Sequence, residues 1–396
     1  MTDDQQWQSP GDPAPQPSPS PYGASVPPPG PTAQPGPAYG VAAPGAPQQG
    51  WTPPPRPGLI PLRPLGFGTL LGAPFQVLRR NPRTTFGTAL LVQVLVLLVA
   101  GGVVGVVSVL AFGRVAEASA EDRDAVAAGA VATVILSALV PVVLGLIASA
   151  LLQGVLVLEV ARGTLGEKLR LPGLLRLARG RIGALIGWSL LVTLAVVIAI
   201  GIVAGLVAVL VITVGEAGIV LGVLVGILGF LALVALGFWL GTKLSLVPSV
   251  LMIERLPLGA AIRRSWWLTT GYAPFWKTLG TQLLVSVIIS TAAQVVTFPV
   301  SLLGGFGGAL LFPNGADPDD PSGSIGVLLA LNILVILVSL VLGAIGAVVQ
   351  TAVTALLYLD LRMRKEGFDL DLVRYVEARQ AGHDVPDPYA SPAAAG

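Results

Sequence analysis

Six apolar stretches, each longer than a soluble core helix and nearly free of charge, dominate this chain. They cover residues 86–112, 126–158, 182–214, 217–248, 279–312 and 325–359. A hydrocarbon core about 30 Å thick takes about 20 helical residues at about 1.5 Å each. All six stretches meet that length. The expected fold is all-α: a polytopic membrane helical bundle of about six transmembrane helices, spanning residues 58–372.

Composition supports this and excludes several classes. Hydrophobic residues make up 54% of the chain and charged residues 11%, against about 25% charged in soluble domains. The formal net charge of +2 is too small for nucleic-acid binding. With no cysteine, a disulfide framework, a thiolate zinc site and a cysteine nucleophile are excluded.

Residues 1–57 hold 18 of the 34 prolines. Proline fixes φ and lacks a backbone donor, so a disordered, Pro-rich cytoplasmic tail is expected. It reads either as a solvated tether or as a docking tail for a protein partner, with Tyr22, Tyr39 and the Pro27, Pro28, Pro29 run as contacts. The tail has no apolar core segment, so the first span is expected to act as the insertion signal.

Three basic, half-apolar lead-ins precede the first, third and fifth spans. They contain Arg79, Arg80 and Arg83; then Lys168, Arg170, Arg176, Arg179 and Arg181; then Arg255, Arg263, Arg264 and three tryptophans, Trp266, Trp267 and Trp276. Such mixtures favour helices lying at the headgroup level; one is expected over 67–80. With the N-terminus in the cytoplasm, every Lys and Arg except Arg114 and Arg123 falls inside. The outer loops then carry Glu117, Glu121, Asp122, Asp124, Glu216, Asp317, Asp319 and Asp320. This bias puts both termini, including the polar C-terminal tail 373–396, in the cytoplasm of a plasma-membrane protein.

The unit recurs. Residues 87–92 (GTALLV), 187–192 (GWSLLV) and 280–285 (GTQLLV) each open a span after a basic lead-in. Three hairpin repeats are expected, each an interfacial helix, a span out and a span back. Glycines four apart, Gly101/Gly105, Gly201/Gly205, Gly222/Gly226, Gly237/Gly241 and Gly304/Gly308, are candidate helix contacts. Pro299 predicts a kink or an end in the fifth span, with the apolar residues to Phe312 forming an outer or re-entrant piece.

Chemistry-bearing residues are few. The sole histidine, His383, lies in the polar C-terminal tail, and no phosphate loop, serine elbow or paired-histidine metal helix occurs. No catalytic, cofactor or metal site is expected. Glu159 and Lys243 are the marginal intramembrane ionisable groups; each is expected to snorkel to the interface, an ion pair between them being the alternative. The span amides Gln93, Gln153, Gln282, Gln294, Asn332 and Gln350 read as helix-to-helix hydrogen bonds or as a pathway lining.

Two stretches carry a resemblance. After the fourth span come Glu254, GAAIRRSW at 259–266, Gly271, Trp276 and Lys277; after the sixth comes LYLDLRMRKEGFDL at 357–370. With Arg63, Pro64, Leu65 and Gly66, these resemble the glycerophosphoryl diester phosphodiesterase membrane-domain family of bacterial integral membrane proteins. A low Lys-to-Arg ratio amid heavy Ala, Gly and Pro suits a high-GC bacterial source. In two-part relatives the hydrolysis belongs to a separate barrel with paired histidines and a divalent metal. No second histidine exists here, so the resemblance implies a membrane domain without the hydrolase.

In these stretches Asp360 and Arg364, four apart, are expected to meet on one helix face. A cytoplasmic polar cluster of Glu254, Arg263, Arg264, Asp360, Arg362 and Arg364 is the candidate site, binding an anionic headgroup or a partner, or serving as structural pairing. The expected function is a non-enzymatic membrane scaffold or accessory protein in contact with anionic lipid, with no cofactor. The alternative is a transporter or permease for a small or lipid-like substrate.

Overall fold

The computed structural model describes residues 58–311 and 321–389, and side chains outside 303–328. The Pro-rich segment with Tyr22, Tyr39 and the triple proline lies outside the described residues, as do Asp317, Asp319, Asp320 and the environment of Gly304 and Gly308.

Among the described residues the chain is all-α, and one order of elements recurs three times. A short helix α1 (Phe67–Arg80) leads into α2 (Phe86–Glu117), and the chain returns through α3 (Arg123–Ser137) and α4 (Leu139–Thr164). Next, α5 (Leu171–Ala178) leads into α6 (Ile182–Val214), returning through α7 (Glu216–Leu244) and α8 (Val247–Ile253). The third unit is α9 (Leu258–Leu268), α10 (Tyr272–Leu311) and α11 (Pro321–Glu366). A last helix, α12 (Phe368–Gln380), crosses the expected boundary at residue 372, so the C-terminal tail begins as helix. Among the described residues six helical segments are long and apolar enough to cross a bilayer, and the protein is a multi-pass membrane protein.

Two return spans are broken, which the apolar pattern conceals. Proline has no N–H to give the carbonyl four residues back. Pro141 withholds that bond from Ser137, the last residue of α3; Pro248 withholds it from Leu244, the last residue of α7. Pro299 acts differently: α10 runs through it to Leu311, so the expected end of the fifth span does not occur.

The core lies at the end of the bundle that carries the lead-ins, here called the basic end. There α1, α4, α8 and α11 pack together. Small side chains of α11, among them Ala344, Val348, Ala352 and Ala355, are fully buried and let neighbours approach closely. Toward the other end the helices face outward: Val109 is 74% exposed, Ile212 81% and Val220 71%. In water such surface would drive aggregation; facing lipid tails it has no such cost.

Helices α6 and α7 pair as a hairpin. Gly215, at φ 66°, turns the chain in one residue, a conformation that penalises any side chain with a Cβ. Glycines then let α7 lie against α6: a Cβ at Gly229 would stand 2.7 Å from Val203 Cγ1, and one at Gly222 3.1 Å from Val211 Cγ2. Of the expected pairs with described surroundings, Gly222/Gly226 lies at a helix contact. Gly101/Gly105, Gly201/Gly205 and Gly237/Gly241 face open space within this chain.

Candidate functional site

At the basic end, charged side chains stitch the lead-ins to the spans. The first joint is centred on Glu254, the residue following α8. Arg255 adopts φ 56°, a left-handed turn rare outside glycine, and Pro257 then starts α9 as its N-cap. This reversal brings α9 back over Glu254. Arg264 Nε donates to both Glu254 oxygens at 3.0 and 3.1 Å. Tyr358 Oη, from α11, donates to Oε1 at 2.7 Å and accepts from Arg362 Nη1 at 3.2 Å. Arg362 Nε donates to Glu366 Oε2 at 2.9 Å, and Glu366 Oε1 meets Arg264 Nη2 at 2.5 Å. The five side chains close into a ring of two acids, two guanidiniums and a phenol. The Arg362 guanidinium also stacks 3.8 Å above the Phe368 ring, a contact that Lys, without a planar head, would not reproduce.

The second joint lies around Asp360, fully buried. Its Oδ1 accepts the Leu65 N–H at 2.7 Å, and its Oδ2 meets Lys277 Nζ at 2.5 Å. Arg364 Nε donates to both oxygens at 3.0 and 3.1 Å, and Arg364 Nη2 donates to Leu65 O at 2.8 Å. The Asp360–Arg364 spacing therefore does bring the two together. Asp360 pins the segment before α1, the start of α10 and the end of α11 at one point.

The expected single cluster is thus two separate joints. Glu254 pairs with Arg264, while Arg263 is exposed and outside both. Arg362 serves the first joint, Asp360 and Arg364 the second. Tyr358, Glu366 and Lys277 are partners to which the sequence reading assigned no role. For Tyr358, Arg362 and Glu366 a signal existed: they stand four apart on one face of α11.

Glu159 and Lys243 do not pair. Glu159, on α4, is 3% exposed and so does not snorkel; Asn81 Nδ2 donates to its Oε1 at 3.0 Å. Its Oε2 has no hydrogen-bond partner among the described residues. Lys243 Nζ instead donates to Thr269 O at 3.2 Å and lies 5.4 Å from the Trp266 ring centroid. It serves the C-terminal end of α9, where exposed carbonyls attract cations.

Among the amides, Gln350 Oε1 accepts from Ser286 Oγ at 3.3 Å, linking α11 to α10. Gln153 lines an apolar cavity of about 580 Å³ between α4, α6, α7 and α8, walled by Trp188, Leu191, Phe230 and Leu240. The C-terminal tail folds back as a latch. Tyr389 is buried; its hydroxyl donates to Ala161 O at 2.7 Å and lies 2.5 Å from Thr164 Oγ1. Burial pushes the Tyr389 phenol well above its ordinary range, which keeps this donor protonated. Asp387 pairs with Arg162, and Arg379 of α12 with Glu167.

No family model, no curated protein and no solved structure matches this chain.

Proposed function

We propose that this protein is a non-enzymatic scaffold or accessory protein of the plasma membrane, with both termini and the basic end in the cytoplasm, that gathers anionic lipid around its lead-ins. The carrying observation is the ring around Glu254. The ionisable groups around Glu254 satisfy one another, joining α9 to α11 and the end of α8. Every group of the ring is paired within it, and a fully satisfied polar network rigidifies the packing it joins. Exposed lead-in cations such as Arg263 remain outside the ring and face the headgroup level.

Reconstitution tests this reading. In vesicles containing phosphatidylglycerol the protein should unfold at a higher temperature than in pure phosphatidylcholine, and the difference should shrink in high salt. Equal stability in both lipids would remove the lipid role.

One observation favours a second reading, a permease for a lipid-like substrate. The cavity of about 580 Å³ beside α6 and α7 is apolar apart from Gln153 and Ser245, as a pocket for an acyl chain would be.

A further inference from the structure

A second cavity, at the basic end, has a different character. It holds about 420 Å³ and lies where α1, α10 and α11 meet. Its wall includes Gly66 and Phe67 at the start of α1, Ala273 at the start of α10, and the cations Lys277, Arg364 and Lys365. Two of these cations, Lys277 and Arg364, meet one buried carboxylate, Asp360, while Lys365 Nζ donates to Trp267 O and Thr270 O at 2.8 and 3.0 Å. Arg364 spends Nε and Nη2 on Asp360 and Leu65 O, leaving Nη1 without a hydrogen bond among the described residues. Gly66 caps α1 without a side-chain acceptor, and no acid lies in that first turn. The amides opening α1 therefore add partial positive charge beside the same cavity. The walls supply more positive charge than Asp360 balances.

The surroundings say where such an anion would come from. Phe67 is 51% exposed, Tyr272 83% and Trp276 53%, all on the helices that build the cavity. Exposed aromatics beside cations mark the headgroup level of a bilayer. We propose that this cavity binds the phosphate of one anionic phospholipid, with Arg364 and Lys277 as charged donors and the acyl chains lying outward past Phe67. This deepens the anionic-lipid reading above and rests on it, replacing a diffuse basic surface with one defined site.

The test uses the full chain in detergent and counts bound lipid by native mass spectrometry. The probes are phosphatidylglycerol, phosphatidylcholine and inorganic phosphate. Ala273 is exposed at the first turn of α10, and a Cβ at Gly68 in the first turn of α1 meets nothing within 4 Å. Glutamate at either place suits a helix start, so Ala273→Glu puts a negative charge at the cavity wall and Gly68→Glu puts one next to Phe67 of that wall, without loading the fold. Ala273→Gln is the neutral control.

The wild type should retain one phosphatidylglycerol in preference to phosphatidylcholine. Each glutamate variant should weaken that binding by about tenfold or more, the scale of one lost charged hydrogen bond, and Ala273→Glu should weaken it clearly more than the equally bulky, uncharged Ala273→Gln. Glutamate variants that hold the lipid unchanged would overturn the site yet leave the vesicle-stability result standing. A wild type indifferent between the two lipids, in detergent and in vesicles alike, would overturn both. Inorganic phosphate displacing the lipid at equal concentration would reassign the cavity to a soluble anion and overturn the lipid assignment.

Discussion

At the residue scale, burial decides which ion pairs matter. Glu254 has a side chain 4% exposed and three hydrogen bonds from two helices. Asp371 and Arg374 form an exposed pair at 3.7 Å on α12, with side chains 61% and 78% exposed. Removing one member of a buried pair leaves the other desolvated and uncompensated, at a cost of about 3–5 kcal/mol. Exposed pairs contribute about 0–1 kcal/mol. Glu254→Ala should therefore destabilise by several kcal/mol, and Tyr358→Phe by about 1–3 kcal/mol through its unsatisfied partners. Asp371→Ala should stay within about 0.5 kcal/mol. Reversible unfolding in mixed micelles measures all three; equal midpoints would show that the ring does not support the fold. Three of the five members of this ring were readable in the sequence. Tyr358, Arg362 and Glu366 share a face by spacing alone, whereas Arg264 reaches Glu254 because Arg255 turns left-handed, and no local pattern announces that turn.

At the element scale, two residue types shape the spans. Proline breaks both the second and the fourth, yet Pro299 leaves α10 running. Apolar counting treats each span as one rod, because hydropathy reports residence in lipid and is blind to a missing backbone donor. Glycine shows a similar divide. Gly229 lies under Val203, while Gly201 faces open space. Gly229→Val should push α6 and α7 apart and cost about 1–3 kcal/mol. Gly201→Ala should be neutral or stabilising by up to about 1 kcal/mol, since alanine is the better helix former. Thermal unfolding of the two variants in one detergent separates these outcomes; matched losses would mean that the α6–α7 contact carries no packing energy. Nothing in the spacing of four distinguishes the glycines, because a pair marks a contact only where another helix lies over it.

At the scale of the whole molecule, polarity is sorted along the bundle. The buried joints, the latch at Tyr389 and the short helices all gather at the basic end, and large exposed apolar side chains fill the other. Fusing a reporter active only outside the cell after Asp124 or Gly215 should give signal, and fusing it after Leu169 or Arg255 should give none. The reverse pattern would invert the proposed orientation. Six segments long and apolar enough to cross a bilayer, the threefold recurrence of lead-in and hairpin, and the basic character of one end were written in the sequence itself, because lipid thickness and charge act on each segment locally. Which acid meets which arginine, the separation of Glu159 from Lys243, the two breaks and the cationic cavity at Arg364 were decided by tertiary structure. Those depend on contacts between residues up to about 300 positions apart (Leu65 and Arg364 among them), and only the packed helices bring such residues within hydrogen-bonding distance.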